Sequence, residues 1–85
     1  MCTMIVEKVE MSGSGKGPQG WFALREASIS FDHPFHAALE HAVSIDFVNH
    51  SEGLGARVAV ELSPESARDL IATIETALAR GHDLH

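Results

Sequence analysis

Residues 29–50 hold most of the side chains in this chain that could do chemistry. The segment carries four of the chain's six histidines together with three carboxylates. These residues are His33, His36, His41, His50, Asp32, Glu40 and Asp46. Imidazole nitrogens and carboxylate oxygens are ligands of first-row transition metals. The residue types therefore predict that an ion is bound, and they specify no reaction.

Three imidazoles form the core of the predicted metal site: His33, His36 and His41. Three nitrogen ligands with an open fourth position are typical of catalytic zinc and non-haem iron, so zinc or iron is the expected ion. In a catalytic site the metal would act as a Lewis acid or activate a water. A further ligand, or a group that orients the ligands, is expected among Cys2, Asp32, Glu40 and Asp46.

The conformation of residues 34–42 decides the geometry of this site. Strict alternation from Leu39 to Phe47 predicts a strand over about 38–49, preceded by a turn at 33–37, with His41 on the apolar side. In a helix, Glu40 would instead neighbour His36, and His41 would leave that side. In the competing interpretation, the turn histidines are solvated and His41 is a hydrogen-bonded core residue. The chain would then be a non-enzymatic oligomeric or partner-binding module.

Glycines at 13, 15 and 17 around Lys16 resemble a phosphate-binding loop only superficially. The first glycine of that motif is replaced by Glu10, Gly17 stands where Ser or Thr would bind magnesium, and no helix pattern follows. A flexible hairpin loop over residues 12–20 explains the segment better. Lys16 remains only a weak anion-binding candidate.

Composition narrows the class of protein. The 85 residues have room for one domain, 1–85, and domains this small often add a metal or a partner subunit. A net charge of -6 with scattered bases argues against nucleic acid and against an anionic membrane surface. No apolar run approaches the ~18 residues of a membrane span. The absence of a signal peptide and a single cysteine, Cys2, suit the cytoplasm.

Hydrophobic periodicity predicts an α+β fold, a four-stranded, mostly antiparallel sheet with one C-terminal helix packed on one face. The strands are expected at 2–11, 21–32, 38–49 and 56–62. Ser63 and Pro64 should begin the helix, and Arg80 with Gly81 should close it. An apolar stripe on this helix is expected to lie on the sheet: Ala67, Leu70, Ile71, Ile74 and Leu78. The opposite sheet face should invite dimerisation, so a homo-oligomer, a dimer or larger, is expected.

Several short motifs resemble a small, uncharacterised bacterial domain family of unknown function. They are Met1-Cys2-Thr3, Gly13 to Gly17 with Gly20-Trp21-Phe22, Asp32-His33-Pro34 with Glu40-His41, and Ile45-Asp46-Phe47. The likeness covers most of the chain. It implies no activity, cofactor or partner.

Overall fold

A computed structural model describes residues 5–32 and 41–83 of the chain. Four antiparallel strands form one sheet in the order β1-β2-β3-β4, and one helix contacts β3 and β4. The elements are β1 (Ile5–Gly17), β2 (Gly20–Asp32), β3 (Ala42–Val48), a 3₁₀ turn (His50–Glu52), β4 (Arg57–Leu62) and α1 (Pro64–Asp83). The α+β architecture predicted from the sequence is confirmed, and every strand pair is antiparallel.

The β1–β2 hairpin is longer than expected, because most of the glycine-rich segment is strand. Only Pro18 and Gln19 form the turn, and a register shift between Glu10 and Gly13 marks a bulge in β1. The end of the hairpin reaches the start of β4. A Cβ placed on Gly17 would lie 2.7 Å from the Gly55 carbonyl oxygen, so glycine permits this close approach.

Strand register sorts the side chains onto two unlike faces. The apolar face carries Ile5, Glu7, Val9, Ala27, Ile29, Phe31, Val43, Ile45, Phe47, Val58, Val60 and Leu62. Glu7 is its single charged member. The polar face carries Val6, Lys8, Glu10, Glu26, Ser28, Ser30, Ser44, Asp46, Val48, Arg57, Ala59 and Glu61. Over these residues the sheet thus has one apolar face, whereas the sequence led us to expect apolar side chains on both.

The third strand begins at Ala42, later than predicted, and His41 is a bend residue before it. Asp32 at the end of β2 is the register partner of Ala42. The turn predicted at 33–37 and the strand residues predicted at 38–40 lie outside the described residues.

Helix α1 begins as predicted and ends later. The Ser63 hydroxyl accepts a hydrogen bond from the Ser66 amide at 3.1 Å, the arrangement of an N-cap. The helix passes through Gly81 and continues to Asp83. Its apolar stripe is only partly covered by the sheet. Ala67 is half-buried, but the four larger members, Leu70, Ile71, Ile74 and Leu78, are 43–68% exposed.

Asn49 joins β2, β3 and the 3₁₀ turn through a buried side chain. Its Nδ2 donates to the Ala23 carbonyl at 2.9 Å and to Glu52 Oε2 at 3.0 Å. Its Oδ1 accepts from the amide and the hydroxyl of Ser51 at 3.1 and 2.6 Å. The Asn49 amide donates to the Ala56 carbonyl at 3.1 Å. One side chain therefore satisfies backbone groups from two separate parts of the chain.

We expect Asn49→Ala to lower the free energy of unfolding by about 2 kcal/mol, because it removes an N-cap and the part-buried hydrogen bond to the Ala23 carbonyl. Ser51→Ala is the matched control and should cost less than about 1 kcal/mol, since Asn49 keeps its bonds to Ala23 and Glu52. Urea unfolding of the two variants measures the difference. Equal losses in both variants would contradict the central role of Asn49.

Candidate functional site

His41 is exposed at the end of the sheet, whereas the sequence led us to expect it on the apolar side of a strand. Its ring stacks on Phe31 with 5.3 Å between centroids and an interplanar angle of 1°. Phe31 belongs to the apolar face. The imidazole thus lies beside the last apolar row, directly before the first residue of β3.

The other predicted ligands are only partly described. Cys2, His33, His36 and Glu40 lie outside the described residues, and Asp32 is the last residue of β2. Asp46 lies five positions from His41, about 17 Å along an extended strand, and its carboxylate bonds to Arg57. The structure therefore does not bring Asp46 to His41. Among residues 5–32 and 41–83 no group of three or more metal-binding side chains occurs.

Lys16, the weak anion candidate, lies in β1 opposite Trp21. Both side chains are exposed. Strand Gly20–Asp32 follows the turn, so no helix N-terminus is present to meet a phosphate beside Lys16. Lys16 is therefore a solvated side chain on the β1–β2 hairpin.

A cleft of about 370 Å³ opens on the polar face, and sequence reasoning missed it. Sheet side chains and the 50–56 loop line it: Lys8, Glu26, Ser28, Asp46, Val48, His50, Gly53, Leu54, Ala56 and Arg57. Polar residues on four strands were the available signal, but only strand register shows that they share a face.

Two side-chain pairs lie in this cleft. Arg57 donates to Asp46 Oδ1 from Nη2 at 2.6 Å and from Nε at 2.9 Å. His50 Nε2 lies 3.7 Å from Glu26 Oε2. Because Lys8 and Arg57 line the cleft together with Glu26 and Asp46, the cleft has no single sign of charge. Its chemistry suits a small polar molecule better than a phosphate or a metal cation.

The most extensive feature of the described surface is apolar. On the sheet, Ile5, Val9, Ile29, Phe31 and Val60 are all exposed, although each points to the apolar face. On α1 the stripe is exposed as well. Single exposed apolar residues are normal on proteins, but several on one sheet face and several along one helix stripe are typical of interaction surfaces.

The Asp46–Arg57 pair should add little stability, because both side chains are part-exposed. A double-mutant cycle with Asp46→Ala and Arg57→Ala is expected to give a coupling energy below about 1 kcal/mol that falls as salt is added. Thermal unfolding at two salt concentrations measures it. A larger coupling that ignores salt would contradict this assignment.

No helix among the described residues is long and apolar enough to cross a membrane.

No curated protein and no solved structure matches the chain significantly. A family model, described as a family of unknown function (DUF6295), matches residues 1–84. This agrees with the resemblance carried by the short motifs. The chain belongs to this family of unknown function, DUF6295.

Proposed function

We propose that this protein is a small assembly module that works as a homo-oligomer through its apolar sheet face and its helix stripe. The observation that carries the proposal is the simultaneous exposure of both surfaces within one short chain. The single cysteine suits a reducing compartment, and we assign the module to the cytoplasm.

The size of the core supports this proposal. Among the described residues the buried apolar side chains are Phe22, Ala27, Ala42, Val48 and Ala56, of which three are alanines. The radius of gyration is 14.5 Å, against about 12 Å for a compact chain of this length. A single copy therefore buries little apolar surface on its own.

Association would supply the burial that the single copy lacks. Covering a large aliphatic side chain completely contributes about 1.5–3 kcal/mol. Four such residues on the helix and five on the sheet, each at least partly exposed, make a second copy an effective source of stability. Stability and assembly should then depend on the same residues.

We expect the purified protein to be a dimer or larger, and Ile74→Ser/Leu78→Ser to shift it to monomer. The control Thr73→Ser/Thr76→Ser makes two changes on the other side of α1 and should leave the assembly intact. Size-exclusion chromatography with light scattering over a concentration series measures the mass. A wild-type protein that is monomeric throughout the series would overturn the proposal.

A second proposal is that His33, His36 and His41 bind zinc or iron. Two observations favour it: His41 is exposed at the sheet end, and Asp32 pairs with Ala42. Asp32 and His41, the described residues that flank the segment of His33 and His36, thus lie at the same end of the sheet. Imidazoles from both ends of such a segment suit a shared ion.

Elemental analysis of tag-free protein, purified without added metal or chelator, tests the metal proposal. About one zinc or iron per chain is expected, with loss in His33→Ala/His36→Ala/His41→Ala. The control His50→Ala changes a histidine of the polar cleft and should keep the metal. Metal that persists in the triple variant, or no stoichiometric metal in the wild type, would sink the proposal.

A further inference from the structure

We infer that the apolar sheet face is covered by helix α1 of a second copy, in a two-fold dimer where each helix lies on the other copy's sheet. This inference rests on the proposed assembly function and names its partner and its geometry. It commits to one arrangement among the three that two apolar surfaces allow: helix on sheet, helix on helix, or sheet on sheet.

The junction between β4 and α1 limits how far the helix can lie over its own sheet. Only Ser63 separates Leu62, the last residue of β4, from Pro64, the first of the helix. A residue before proline is kept extended, and proline has a fixed φ, so this link has little freedom to reverse the chain. Leu70, Ile71, Ile74 and Leu78 accordingly stay 43–68% exposed, although α1 contacts β3 and β4.

The two surfaces match in size. Leu70 and Leu78 are eight residue steps apart on the helix, about 12 Å at 1.5 Å per step. Three alternate residues on one strand of the apolar face, such as Ala27, Ile29 and Phe31, span about 13 Å. A helix on one face of an antiparallel sheet is also the ordinary two-layer arrangement of α+β domains.

Charged residues beside the two apolar surfaces agree with this helix-on-sheet contact. Glu7 is the charged member of that face, and Arg68 borders the stripe directly after Ala67. Neither residue forms an ion pair within the described part of the chain. A helix seated on the sheet of a second copy can bring Arg68 to Glu7, whereas two paired sheets would bring two Glu7 carboxylates to one apolar interface.

Symmetry favours helix on sheet over the other two arrangements. A two-fold contact uses the same surface on both copies, and each copy contributes one stripe and one face. When each helix stripe packs on the sheet face of the other copy, one closed dimer covers both surfaces. Helix-on-helix pairing leaves two sheet faces open, and sheet-on-sheet pairing leaves two helices open.

Disulfide trapping between separately prepared chains tests the contact between α1 of one copy and the apolar face of the other. In a Cys2→Ser background, one chain carries Ile74→Cys on the stripe and the other, enlarged by a tag, carries Ile29→Cys on the apolar face. The chains are mixed, allowed to exchange and oxidised gently. Because the cysteines are on different chains, no link can form within one copy. Thr76→Cys, on the other side of α1, replaces Ile74→Cys in the control mixture.

We expect a mixed 74–29 link as the main product, with the control mixture giving at least tenfold less. Links between two Ile74→Cys chains, or between two Ile29→Cys chains, as the main product would overturn the inference in favour of another pairing. A dimer by light scattering that gives no mixed link would also overturn it and leave the assembly function standing. A monomer by light scattering would overturn both.

Discussion

One constraint governs this structure: the register of its strands places most apolar side chains of the paired residues on one face, where several of them stay exposed. Period-two alternation in four paired strands aligns Ile29, Ile45 and Val60 in one row. The helix that could cover the row starts one residue after β4 and leaves its stripe exposed. In the dimer that we propose, the second copy completes the two-layer arrangement of an α+β domain.

Polar chemistry is concentrated on the opposite side and at the ends of the sheet. Asn49 fixes the connection from β3 to β4 by bonding to Ala23 and Glu52, which shapes the loop beside the polar cleft. The Asp46–Arg57 pair spans two strands of that face. Assembly and ligand chemistry can thus occupy separate surfaces, so a change at the apolar face need not disturb the cleft.

The proposed metal site would lie close to the proposed dimer surface. His41 stacks on Phe31, and Phe31 is part of the apolar face. Substitution of His41 could therefore affect both metal content and association, which is why mass and metal must be measured on the same variants. The His50→Ala variant, which changes a histidine on the polar side of the molecule, distinguishes a general effect of losing an imidazole from an effect local to His41.

Alternation in residues 26–32 and 56–62 and the Ser63-Pro64 start of the helix were enough to predict the α+β fold, because these signals act over a few residues. The strand conformation of the glycine-rich residues 12–17 was missed, since it depends on hydrogen bonding to a partner strand and not on local sequence. Asn49 and the cleft were missed for the same reason: their residues meet only through strand register. The metal ligands His33 and His36 remain predictions from residue type, and the structure adds the exposed place of His41. Local periodicity determined which elements form, whereas long-range pairing and the short β4–α1 link decided which surfaces stay open.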